Sequence, residues 1–181
     1  MRRTTVILTV LLAIASAQNQ RWVYTLNGTG DSRDEANCLL AAGDIFVGGM
    51  VGNAATFGDL VVLSLSAQGG VNWSYQYDGA GSTSDYAKAI ARMDNGLVVV
   101  AGACGGSGTE PDMVCIGLSP TGQAQFVYRY DGPENYEDVF LCVDVKGDGA
   151  IYCGGRSDST NAGDFTVVSL SAAGTFRWRV S

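Results

Sequence analysis

An all-β fold built from repeated four-stranded antiparallel units is predicted by three observations on this chain of 181 residues. A threefold repeat runs from Arg21 to the last residue. Within each unit, alternating or short apolar runs are closed by Gly, Asp and Asn, the pattern of antiparallel strands joined by tight turns. Finally, 25 Gly, only 3 Pro and no 3.6-residue periodicity after residue 20 argue against helices.

The register of the repeat is set by its aromatic starts. Trp22-Val23-Tyr24-Thr25-Leu26-Asn27-Gly28 recurs as Trp73-Ser74-Tyr75-Gln76-Tyr77-Asp78-Gly79, then as Phe126-Val127-Tyr128-Arg129-Tyr130-Asp131-Gly132, and begins again at Trp178, in steps of 51, 53 and 52 residues. Five further ladders keep the spacing: Asp34, Asp85, Asp138; Gly49, Gly102, Gly155; Asp59, Asp112, Asp164; Leu65, Leu118, Leu170; Gly69, Gly122, Gly174. A unit of this length with several short strands cannot bury both faces alone and must stack on its neighbours, which is the logic of a β-propeller. The expected order is a leading strand D over 21–27, then blades over 34–78, 85–131 and 138–181. In the middle blade, strand A is expected over Ala87 to Met93 and, after an Asp94-Asn95-Gly96 turn, strand B over Leu97 to Ala103. Strand C follows over Met113 to Leu118, then a Ser119-Pro120-Thr121-Gly122 turn and strand D over Ala124 to Tyr130.

The pattern formed by Trp73, Tyr77, Gly79, Asp85, Gly96, Val98 to Val100, Gly102, Asp112, Leu118 and Gly122 resembles the secreted β-propeller repeats termed SBBP-type or seven-bladed repeats, and does so over about nine tenths of the chain. That resemblance implies a propeller fold and an extracellular setting, and it implies no activity. Ser66-x-x-Gly69-x-x-x-Trp73 is also weakly similar to the Asp-box hairpins of sialidase-like propellers, but Gln68, Thr121 and Ala173 stand where that box has Asp.

Arg2 and Arg3, the apolar run from Val6 to Ile14, and Ala15-Ser16-Ala17 fit a secretory signal over 1–17, cleaved before Gln18. No other segment approaches the ~20 apolar residues of a transmembrane helix, so a secreted, extracellular product without a membrane span is expected. Three blades are fewer than the four to eight of a closed propeller. Either further blades of a longer chain or self-association as a homo-oligomer is therefore expected to complete the ring.

Without Arg2 and Arg3, 9 basic residues face 18 acidic ones, a net charge of −9 that disfavours nucleic acid and anionic membranes as partners. Placement says more than the total. The D-to-A and B-to-C loops of propeller blades share one face, and they hold Asp31, Asp34, Glu35, Asp78, Asp85, Asp131, Glu134, Glu137 and Asp138, with Asp59, Glu110, Asp112, Asp158 and Asp164. Fourteen of the 18 carboxylates thus fall on one face, with only Arg33 and Arg156 among them. Two readings follow. Asp at strand starts and in Asp-Gly turns caps backbone amides. The same cluster also focuses a field that attracts Ca²⁺ or a cationic partner. The candidate ligand face is Asp31, Asp34, Asp78, Asp85, Asp131, Glu134 and Asp138.

Five Cys in an exported chain suggest disulfides with one thiol left over, or small buried core thiols. Cys142 and Cys153 flank the Lys146-Gly147-Asp148-Gly149 turn. They lie opposite each other if Gly147 and Asp148 form its centre, and on a diagonal if Asp148 and Gly149 do. Cys104 and Cys115 flank a B-to-C loop whose folding could join them. Asn27-Gly28-Thr29 and Asn72-Trp73-Ser74 are N-glycosylation sequons, with Asn27 on a loop and Asn72 beside a packed Trp.

The absence of His removes Ser/His/Asp and Cys/His catalysis and His-ligated zinc. Lys88 and Lys146 are the only lysines, and no Gly-rich loop leads into a helix. Asp144-x-Lys146-x-Asp148-Gly149 is a faint match to a calcium loop, with a cation where a ligand belongs, and reads better as a hairpin turn. Nothing in the spacing of the carboxylates selects a catalytic pair. The sequence therefore points to a secreted, non-enzymatic binding or scaffold module with an acidic loop face, for a protein or glycan partner, with Ca²⁺ as the one candidate cofactor. A fragment of a glycan-active hydrolase or lyase and a structural matrix protein are the alternatives.

Overall fold

The computed structural model describes residues 21–81, 83–108, 110–157 and 163–181. The signal expected over 1–17 and Asp158 lie outside the described residues. Among the described residues, twelve strands form three antiparallel sheets of four, each in simple sequence order, and no helix occurs, so none is long and apolar enough to cross a membrane. The first sheet comprises β1 (Glu35–Ala42), β2 (Asp44–Asn53), β3 (Phe57–Leu65) and β4 (Val71–Tyr77). The second comprises β5 (Tyr86–Arg92), β6 (Val98–Cys104), β7 (Asp112–Leu118) and β8 (Ala124–Tyr130). The third comprises β9 (Val139–Val145), β10 (Ile151–Ser157), β11 (Asp164–Leu170) and β12 (Phe176–Val180). Strands expected in the middle unit are met to within a residue at each end.

The second sheet is covered on both faces. One apolar cluster joins Phe46, Leu60 and Val62 of the first sheet to Ala87, Val98, Val100, Val114 and Ile116 of the second. Another joins Val99, Ala101, Met113 and Cys115 of the second to Phe140, Ile151, Cys153, Val168 and Leu170 of the third. This is why β6 and β7 are buried along their whole length and read as continuous apolar runs instead of alternating ones.

The ladders now have physical causes. Gly69, Gly122 and Gly174 sit at φ +83°, +81° and +74° in the turns that close the third and fourth strands of each sheet. A Cβ there would lie 2.6 Å from Trp22, 2.7 Å from Trp73 and 2.2 Å from Phe126 respectively. Each aromatic thus covers the turn of the following sheet, and the indole N–H groups of Trp22 and Trp73 donate to the carbonyls of Ala67 at 3.0 Å and Pro120 at 2.9 Å. Gly49, Gly102 and Gly155 lie beside a β-bulge in the first strand of each sheet, where a Cβ would come within 1.8 to 2.0 Å of a carbonyl oxygen on that strand.

Two expectations are corrected. Residues 21–28 form no strand, because among the described residues no strand lies alongside to pair with them. Trp22 nevertheless docks on the first sheet as Trp73 docks on the second. The Cys142–Cys153 bridge is not formed. Gly147 and Asp148 are the central pair of a turn closed by the Gly149 N–H on the Lys146 carbonyl, but Gly149 at φ +82° adds a left-handed residue after it, which shifts the register by one. Cys142 then pairs with Gly154, and Cys153 with Val143, on opposite faces of the hairpin. Cys104 and Cys115 are apart too: Cys104 faces the first-sheet cluster and Cys115 the third-sheet cluster.

Candidate functional site

The strand directions bring the starts of β1 and β3 and the ends of β2 and β4 to one end of the first sheet, and the same holds for the other two sheets. The acidic loops therefore do share one end. There Asp34, Asp85 and Asp138 act first as clamps. Asp85 is buried, accepting the Gly79 N–H at 2.9 Å and the Gly105 N–H at 2.6 Å, so it ties the exit of β4 to the end of β6. Its own N–H donates to the Gly58 carbonyl at 2.7 Å, and the Asp138 N–H donates in the same way to Pro111 at 2.7 Å. Asp138 accepts from Gly132 at 2.6 Å, and Asp34 accepts from Gly52 at 2.7 Å and Gly28 at 3.3 Å. A Cβ on Gly79 would lie 2.6 Å from an Asp85 oxygen, which is why Gly follows Asp78.

Around two of these clamps the carboxylates converge. Asp59, Asp78 and Asp85 bring one oxygen each to within 4.8 Å of the others, and Asp112, Asp131 and Asp138 do the same at the next junction. In each group the first and third residues are buried and the middle one is exposed. Asp59 and Asp112 lie on the third strand of their sheets, and the other two members of each group lie in the loop that joins that sheet to the next, at repeat-equivalent positions. Three carboxylate oxygens at this spacing suit a hard divalent cation.

The two groups differ in what balances their charge. Asp112 accepts from Arg129 at 2.8 Å, and the same guanidinium donates to the Gly105 carbonyl at 3.1 Å. Asp59 instead accepts from the neutral Asn53 amide and Thr56 hydroxyl, each at 2.5 Å. The residue at the place of Arg129 in the first group is Gln76. Burial pushes the Asp85 carboxyl up to about 6, against the two amide hydrogen bonds, with Asp78 and Asp59 adding to the rise. Asp112 is also raised by burial, and its Arg129 partner opposes that rise.

Asp31 and Glu134 are exposed and belong to neither group. Glu137 accepts from the Tyr86 hydroxyl and from Arg156, joining the second and third sheets. Asn27 is exposed, while the Asn72 amide donates to Ser64 at 3.2 Å. Sequence reasoning missed Arg129, Asn53 and Thr56. Arg129 lies one residue from the end of β8, so counting strand ends together with loops would have placed a cation at this end. Among known proteins, neither the protein-family models nor the curated sequences contain a match to this chain.

Proposed function

We propose that the chain is a secreted β-propeller segment akin to the SBBP-type repeats, serving as a non-enzymatic binding or scaffold module whose acidic end is its binding face. The observation that carries this reading is the repetition of a carboxylate triad at two successive sheet junctions, in one of which Asp59 is met by the neutral groups of Asn53 and Thr56 where Asp112 of the other meets Arg129. Such an end attracts divalent cations and cationic groups on a partner through field focusing. Thermal melting with millimolar Ca²⁺ against EDTA is the test. A rise in Tm of several degrees is expected from preferential binding to the folded state. An unchanged Tm would leave the carboxylates as backbone clamps only.

The blade reading draws support from exposure at equivalent positions. Leu60 and Met113 are 0% exposed where sheets adjoin, whereas Phe165, their counterpart in the third sheet, is 75% exposed. Trp178 and Val180 are exposed on the same outer sheet, and a groove of about 380 Å³ opens on the outer face of the first, lined by Trp22, Ile45, Leu63 and Leu65. Both outer sheets are therefore built like interior ones. Light scattering on the purified chain is expected to give a mass above the 18.9 kDa of a single copy. A discrete dimer would mean six blades closing a ring across two copies, and open-ended aggregates would mean that further blades belong at the outer faces. A well-behaved monomer would overturn the blade reading.

A further inference from the structure

The two sheet junctions are built from repeat-equivalent strands, and at one pair of buried positions they differ in chemical kind. Val62 on β3 and Val100 on β6 are wholly buried in the first junction. Their counterparts in the second are Cys115 on β7 and Cys153 on β10, both likewise 0% exposed and members of one cluster. Two valines of one cluster thus correspond to two thiols of the next, with the Cys115 S–H within hydrogen-bonding reach of the Cys153 sulfur. The other three cysteines are placed differently. Cys38 and Cys142 donate to carbonyls of their own sheets, Gly48 and Gly154, at 3.5 Å, and Cys104 lies in the first-junction cluster.

We infer that Cys115 and Cys153 form a disulfide that locks the second sheet to the third. The co-reactant is a small-molecule or protein disulfide. The two cysteine thiols lose two protons and two electrons as their sulfurs join, and the donor disulfide takes up both and leaves as two thiols. In the closed junction both thiols are wholly buried and out of reach of a donor disulfide, and the hydrogen bond to Cys153 together with burial holds the Cys115 thiol well above its ordinary range. The bond consequently forms while the junction is still open, during folding, and is shielded from reductants once the sheets have met. In a cell this rests on the proposed export to an oxidising compartment; the chemistry itself is testable without it.

The test is to refold the full chain from denaturant, once with oxidised and reduced glutathione and once with reductant alone. Free thiols are then alkylated under denaturing conditions and mapped by mass spectrometry. The oxidised sample is expected to carry one bridge, between the peptides holding Cys115 and Cys153, with Cys38, Cys104 and Cys142 alkylated. It should melt roughly 5–15 °C above the reduced sample, the range for a bridge closing a loop of this size. The double variant C115V/C153V, which installs the first junction's own residues, should melt at one temperature with or without reductant. Alkylation of both Cys115 and Cys153 after oxidative refolding would overturn the inference, as would a bridge from either to another cysteine or refolding that succeeds only under reductant. Those results would leave the proposed binding face untouched.

Discussion

Replacing Asp85 with alanine is expected to lower the unfolding free energy by about 2–4 kcal/mol, enough to remove a large share of the stability of a small domain. The reason is geometric. The carboxylate is wholly buried and is the acceptor for two N–H groups, Gly79 and Gly105, that follow strands of different sheets. Each buried donor left without an acceptor costs about 1–3 kcal/mol, and relief of the repulsion from Asp59 and Asp78 offsets part of the sum. Asp78→Ala removes an exposed carboxylate and is expected to be neutral or slightly stabilising. Urea unfolding of the two variants side by side separates clamp from surface charge, and equal effects would refute the clamp. The pH dependence has a definite sign. The folded Asp85 carboxyl takes up its proton near pH 6, against the ordinary 3.8 of an aspartate in the unfolded chain. Between these values the native state binds more protons, so Asp85 contributes more stability at low pH and loses that contribution as pH rises through about 6. The difference between wild type and Asp85→Ala should therefore be larger at pH 5 than at pH 7.5.

What could be read from the chain and what could not divide along a physical line. Strands and their order follow from local pattern, so β8 coincides with the expected Ala124 to Tyr130, and each of the three repeat units yields one four-stranded antiparallel sheet. The common end of the acidic loops also followed, since strand direction fixes it. Register did not, because Gly149 adopts a left-handed conformation that shifts Cys142 by one position, and a one-residue slip exchanges the faces. Pairing across the start of the repeat did not either: residues 21–28 carry the same motif as β4, but a strand exists only beside a partner. The convergence of Asp59, Asp78 and Asp85 depends on how one sheet packs on the next, and spacing along the chain carries no information on that.

The difference between the two triads supplies a second experiment with a large expected effect. Arg129 provides the second triad with a fixed positive charge, and its side chain is two-thirds buried against Asp112. Arg129→Gln gives that junction the residue found in the first, and in EDTA it is expected to cost about 1–3 kcal/mol, because buried carboxylates lose their paired cation. If the triads are cation sites, the same variant should gain a Ca²⁺-dependent rise in Tm larger than that of the wild type, since the ion takes the place of the guanidinium. Gln76→Arg is the reciprocal change: it should raise Tm in EDTA and abolish the Ca²⁺ response of the first junction. The pair is informative because both substitutions stay within the repeat's own vocabulary at that position, so each variant chain keeps a residue already tolerated at an equivalent place. Parallel melting curves of wild type, Arg129→Gln and Gln76→Arg in Ca²⁺ and EDTA decide the matter. Loss of stability in Arg129→Gln that Ca²⁺ does not restore would show that the guanidinium serves as a structural counter-charge, and the acidic end would then have no claim to be a metal-binding face.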